Sequence, residues 1–347
     1  MHYTGTVWRP PFEFRSLLLQ VTTGCSHNGC SFCSMYRKTP FRVSPMEEVR
    51  ADLEEAARHF PETERVFLLS GDAFVLPAER LLEIAEEAHK ALPKLKTISC
   101  YASVQNVKNK TVPELKALRA AGINEPNFGI ETGLPDLLKA MNKGFTLEEA
   151  REQLGKLREA GMDFSANLIL GGAALLSPPG ASPAGASPPG VSPPGASPAS
   201  ACQDGGMYAY LTQKAGAYAL LEEKAAADAS LMNELRPSLI FVTTLHGPGE
   251  GLRQPAGGLR QAAGGLRQSA GGPLREAIRD GQSGTCKKED ILREEILLLE
   301  KLDLQNTVFL GIHISDPVPV AGMLPWDKAA MIEKLRNALL HCSPDGI

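Results

Sequence analysis

The run Thr23-Gly24-Cys25-Ser26-His27-Asn28-Gly29-Cys30-Ser31-Phe32-Cys33-Ser34-Met35-Tyr36-Arg37 puts three cysteines within nine residues, just after the apolar segment centred on Leu17-Leu18-Leu19. The first two are separated by four residues and the last two by two. Thiolates gathered this closely by one loop make a soft-metal site, suited to an iron–sulfur cluster or to zinc. The segment before them, Ser16 to Thr22, reads as a strand buried on both faces.

Outward from that loop the chain alternates apolar runs with helical patterns. Ser44-Pro45-Met46-Glu47 reads as a capping box with proline at the first helical position. It opens a helix through His59 with Val49, Leu53, Ala56 and Ala57 on one face. A strand, Val66 to Leu69, ends in Ser70-Gly71-Asp72-Ala73. A helix from about Ala78 to Leu92 and a strand from Thr97 to Ala102 follow. Thr111 and Thr146 each begin a capping box, for helices stopping at Gly122 and Gly161. Between them Asn127 to Glu131 is a strand ending on a carboxylate. Phe164 to Leu170 is the next strand, closed by Gly171-Gly172.

Five βα units with short links specify a mostly parallel sheet, doubly wound or closed as a barrel. A sixth strand, Leu239 to Leu245, comes after a helical stretch, Met207 to Leu235. Further helices are expected at Leu274–Arg279, Glu289–Leu302 and Trp326–Leu340, with a strand at Val308–Ile314. The fold class is therefore α/β: a core of six βα units over residues 1–282 and a small C-terminal α/β extension over 283–347.

Two low-complexity inserts interrupt the core, at about 173–206 and 250–272. Residues 177–201 are five pentapeptides of the type Ser177-Pro178-Pro179-Gly180-Ala181, and 251–271 are three heptapeptides beginning Gly251-Leu252-Arg253. Pro, Gly, Ala and Ser bury almost no apolar surface, so the first reads as an extended, disordered loop insert. Paired glycines and one leucine per heptad exclude a coiled coil from the second. Both read as expansions within loops.

A formal charge of −4 gives no nucleic-acid signature, and no apolar run is long enough to span a membrane. Met1 to Pro11 reads as neither signal nor transit segment, so the expected location is cytoplasmic, or organellar if the N-terminus is incomplete. Cys100, Cys202, Cys286 and Cys342 are isolated, and seven cysteines in 347 residues do not make a secreted disulfide framework. Structural zinc favours two close ligand pairs. Here no pair follows at finger-like distance, and His27 would crowd a single ion. Three cysteines without a fourth suit a cubane with one iron left open to a small-molecule ligand.

This loop, with an aromatic residue directly before its last cysteine and Trp8-Arg9-Pro10-Pro11 ahead of it, resembles the radical S-adenosylmethionine (radical SAM) enzymes. The Cys-x4-Cys-x2-Cys spacing looks like an uncharacterised subgroup, related to the Elongator, methylthiotransferase and coproporphyrinogen-oxidase-like core. The resemblance covers roughly 1–172, 207–245 and 272–340. It implies a partial (β/α)6 barrel with Cys25, Cys30 and Cys33 on a 4Fe–4S cluster, and S-adenosylmethionine (SAM) chelating the open iron.

The resemblance also implies cofactor contacts at Ser70, Gly71 and Asp72, at Glu131 within Gly129-Ile130-Glu131-Thr132-Gly133, and at Asn167 with Gly171. Phe32 would pack beside cluster and adenine. No catalytic residue is assigned beyond the cluster. Asp72 can equally be a helix cap. His27 and Asn28 either donate to cluster sulfurs or shape the loop, and Tyr36 and Arg37 face cofactor or solvent. His313, in His313-Ile314-Ser315-Asp316-Pro317, is structural or faces substrate.

The implied activity is reductive SAM cleavage, with a flavodoxin or ferredoxin-like electron donor and a substrate that the residues do not name. The alternatives are a non-catalytic iron–sulfur scaffold or redox sensor, and a zinc-binding module.

Overall fold

The computed structural model describes residues 1–172, 205–245 and 287–342, with side chains of 205–217 excepted. One eight-stranded sheet carries the chain. Its first strand is β1 (Leu17–Gln20), and the short β2 (Thr22–Thr23) pairs separately with β3 (Arg42–Val43). Then come α1 (Met46–His59), β4 (Arg65–Leu69), α2 (Ala78–Ala91), β5 (Thr97–Ala102), α3 (Val104–Lys108) and α4 (Val112–Ala120). They are followed by β6 (Asn127–Glu131), α5 (Pro135–Ala140), α6 (Leu147–Glu159), β7 (Ser165–Leu170), α7 (Gly205–Leu235) and β8 (Leu239–Thr244). The chain closes with α8 (Lys288–Lys301), β9 (Thr307–Gly311), β10 (Val320–Leu324) and α9 (Lys328–Leu340).

The sheet order is β1-β4-β5-β6-β7-β8-β9-β10, all parallel until β10 turns back on β9. A doubly wound sheet reverses its strand order at a switch point. Here the order never reverses, so successive crossovers wind the sheet one way, as in a partial TIM-like barrel.

The two faces differ in what they bury. Val66, Leu68, Ile98, Phe128, Ala166, Leu168, Ile240 and Phe309 alternate along the strands and are fully buried under the helices. The opposite, concave face carries Leu18, Tyr101, Gly129, Asn167, Thr243 and Leu310, all half-buried. It is the face left free for a ligand.

Several sequence expectations need correction. The Ser44 capping box does not form: α1 begins at Met46 with Pro45 as its cap residue and no side-chain cap bond. The boxes at Thr111 and Thr146 do form, each with both reciprocal bonds. The expected strand over 308–314 ends at Gly311, so His313 lies in the following bend. β1 is half-buried at Leu17 and Leu18 rather than buried on both faces.

The segment read as a C-terminal extension adds a seventh parallel strand, β9, to the same sheet. The inserts at 173–206 and 250–272 lie outside the described residues, except that Gly205 and Gly206 begin α7. The expected helix at 274–279, Cys202 and Cys286 also lie outside them.

Candidate metal centre and cofactor face

The cysteine loop leaves the C-terminal end of the first strand and is held from three sides. Arg37 reaches back along it, donating from Nε to the Cys33 carbonyl and from Nη2 to the Cys30 carbonyl, both at 2.7 Å. A planar guanidinium spans two such acceptors at once, which an ammonium cannot do. From the end of α5, the Ala140 carbonyl accepts from Ser31 Oγ at 2.9 Å and the Met141 carbonyl from Ser31 N–H at 3.0 Å. Asn142 donates to the Gly29 carbonyl at 2.8 Å, while its own carbonyl accepts from His27 Nε2 at 2.7 Å, which fixes the ring proton on Nε2.

The third restraint is the turn after β4. Asp72 sits at the cap position of a short 3-10 turn but makes no cap bond there. Its buried carboxylate instead accepts from Ser26, through the backbone N–H at 2.9 Å and through the hydroxyl, and from Asn106 at 3.4 Å. Of the two readings of Asp72, the helix cap does not form, and the carboxylate grips the loop between the first two cysteines. Ser70 exchanges bonds with Thr22, and Gly71 N–H donates to the Gly24 carbonyl at 2.9 Å. A Cβ on Gly71 would stand 2.6 Å from the Cys25 Cβ and 2.9 Å from the Tyr36 ring, so this approach needs glycine.

All three cysteines are half-buried. Burial, and after it the Asp72 carboxylate, push the Cys25 thiol up to about 11, opposed by the backbone N–H groups of Asn28 and His27 that point at its sulfur. These are the donors expected around a cluster sulfur, supplied by backbone. The Asn28 side chain instead binds the Tyr36 carbonyl at 3.2 Å, and with His27 it shapes the loop.

Burial also raises Cys30, and the nearby Lys143 ammonium works against it. Lys143 has no counterpart among the sequence expectations. It pairs with Glu131 at 2.8 Å and stands 5.7 Å above the Phe32 ring. Burial alone would lower its pKa, but Glu131 and then Cys30 outweigh it and keep it charged.

Glu131 follows a bulge in β6, at φ +69°, and its carboxylate folds back over Gly129, where any Cβ would overlap it. Phe32 packs against the cluster of Leu134, Leu137, Met141 and Ile169. Asn167 shares the concave face through its pairing with Gly129, and its Oδ1 has no hydrogen-bond partner among the described residues. The same holds for both amide atoms of Asn127 and for the Tyr36 hydroxyl. Gly171 donates its N–H to Glu294 at 2.9 Å, so that group is engaged by protein.

These features test the fit of the two implied groups. Among the described residues, no three His, Cys, Asp or Glu side chains converge to hold a single metal ion. Three thiols on one loop, backbone donors at Cys25 and Cys30, a buried cation beside Cys30 and orphaned amide atoms on the concave face fit a cluster with a polar ligand next to it.

A one-way parallel sheet with its polar groups at the strands' C-terminal ends has them where α/β-barrels place their ligand sites. Residues 19–173 match the family model described as Radical SAM superfamily. Members of that superfamily bind iron in a 4Fe–4S cluster and use SAM.

The chain is 31% identical over 165 residues to the biotin synthase of Corynebacterium glutamicum (strain R), covering 46% of each chain. It is 25% identical over 154 residues to the heme chaperone HemW of Bacillus subtilis (strain 168), covering 42% of this chain and 40% of that one. The chain thus spans less than half the length of these curated relatives. Coproporphyrinogen III oxidase (HemN) from Escherichia coli is similar with a TM-score of 0.45 and 16% identity, over 82% of this chain and 52% of that one.

Proposed function

We propose that this protein is a radical SAM enzyme in which Cys25, Cys30 and Cys33 hold three irons of a 4Fe–4S cluster and SAM binds the fourth. When bound, that cluster supplies the electron that splits SAM reductively and so allows hydrogen abstraction from a substrate. What supports this most is that the three thiols share one loop, with the Glu131–Lys143 pair beside Cys30.

The chain's own residues have separable tasks. Arg37, Asp72 and Asn142 fix the loop so that the thiols need not reorganise. The Lys143 ammonium is the cation available to a carboxylate such as that of SAM, and Glu131 an acceptor for its ammonium. Asn167 and Asn127 offer unused amide atoms to the polar edge of a base or ribose. Phe32 and its apolar neighbours keep water from the thiols. Ser70 and Gly71 keep the end of β4 close to Cys25.

A flavodoxin or ferredoxin-like donor would deliver the electron, and the expected compartment is the cytoplasm. No helix of the described residues is long and apolar enough to cross a membrane.

Anaerobic reconstitution tests the ligand set. Wild-type protein should take up about four irons per chain and absorb broadly near roughly 400 nm, and Cys30→Ala should lose both. Full iron loading of Cys30→Ala would refute it.

A further inference from the structure

Two helices away from the cysteine loop carry buried charges that the functions described so far do not use. Lys224 of α7 is fully buried, with its ammonium 2.6 Å from Asp228 and 2.7 Å from Glu294 of α8, which are equally buried. A buried ion pair is seldom a net source of stability, because desolvating the charges offsets their attraction. Its use has to be sought in what the remaining lone pairs hold.

Those lone pairs go to the strand ends. Asp228 Oδ1 accepts from the Gly133 N–H at 2.5 Å and from Thr132 Oγ1 at 3.0 Å, in the turn immediately after Glu131. Glu294 Oε2 accepts from the Gly171 N–H at 2.9 Å, in the turn immediately after β7. Gly133 runs so close to Ala227 and Asp228 that a Cβ would overlap the α7 backbone. One ammonium therefore sets two carboxylates, and each carboxylate sets one turn beside the concave face.

We propose that Lys224, Asp228 and Glu294 form a positioning centre that fixes the turns after β6 and β7 for cofactor binding. Without these acceptors the two N–H groups would seek water, and Glu131 and the end of β7 would lose their common reference. This rests on the SAM reading above and adds to it residues that touch no cofactor. The centre acts through Glu131 and through the strand carrying Asn167.

The test compares Glu294→Gln with Glu294→Leu. Both leave Lys224 and Asp228 as a neutral pair, but only the glutamine keeps an oxygen for Gly171. SAM affinity is measured by calorimetric titration of the iron-loaded protein, alongside iron content and melting temperature.

Glu294→Gln should bind SAM within about twofold of wild type, and Glu294→Leu about tenfold more weakly, at equal iron content. Thr132→Val, which keeps shape and loses the Asp228 bond, should weaken binding about threefold and covers the case in which Glu294→Leu does not fold. Equal affinity of all variants and wild type, with only the melting temperature altered, would overturn the positioning role. No SAM binding by wild type would overturn the SAM reading and this centre with it.

Discussion

Replacing Lys143 by methionine removes the buried ammonium beside Cys30 and leaves Glu131 in place. The pair is 2.8 Å apart, with 13% and 9% of the two side chains exposed. At an effective dielectric of about 20, charges at that distance attract by roughly 6 kcal/mol before desolvation. Most of that attraction offsets burial of the charges. Breaking a buried pair from one side typically costs about 3–5 kcal/mol, and the residual exposure here favours the lower end, about 3 kcal/mol.

For a protein of this size that is a fall in melting temperature of roughly 4–5 °C. Removing the partner charge as well, in Lys143→Met/Glu131→Gln, should restore about 2 kcal/mol, because no carboxylate is then left alone. Scanning calorimetry of the cluster-free proteins reads all three values. A Lys143→Met melting within 1 °C of wild type, or a double variant no more stable than the single one, would refute a buried ion pair at the cofactor face.

Other perturbations follow from the same geometry. Gly71→Ala should lose about 1–3 kcal/mol by overpacking against Cys25 and Tyr36 and should lower the iron yield on reconstitution; unchanged melting and full iron would contradict that contact. Tyr36→Phe removes a buried hydroxyl with no partner among the described residues, so its stability should stay within about 0.5 kcal/mol of wild type or rise, checked by urea unfolding.

Burial lifts Glu295 well above the carboxylate range and Asp316 to about 7. The folded state then holds protons that the unfolded state releases above about pH 4, so stability should fall as pH rises from there toward neutrality. Glu295→Gln should flatten that fall; an unchanged slope of melting temperature against pH would count against it.

Much of the fold was legible because the strands are apolar runs bounded by strong signals. Asn127–Glu131 and Thr97–Ala102 are found with the expected limits, and the reciprocal boxes at Thr111 and Thr146 mark their helices. Ser44 matched the same pattern, but Pro45 takes the cap position, and a pattern alone does not decide which residue does. β10 was missed because Val320-Ala321-Gly322-Met323-Leu324 has weak strand propensity, and its pairing with β9 supplies the order. α3 and α5, at five and six residues, are too short to show a helical period.

At the site, the cysteines and the strand-end residues stood out by local spacing. Lys143 did not, since its meaning depends on the return of the β6 turn to the cysteine loop. Nor did Asp228, whose bond to Gly133 joins residues 95 apart. Such pairings are set by how the helices pack against the strand-end turns, and they leave no local signature.

The most direct test of the central claim is release of 5′-deoxyadenosine from SAM by the anaerobically reconstituted, reduced protein. Iron-loaded wild type should release it only when reductant is present, and Cys30→Ala should release none. Release by Cys30→Ala at the wild-type rate, or none from wild type carrying its full complement of about four irons, would contradict it.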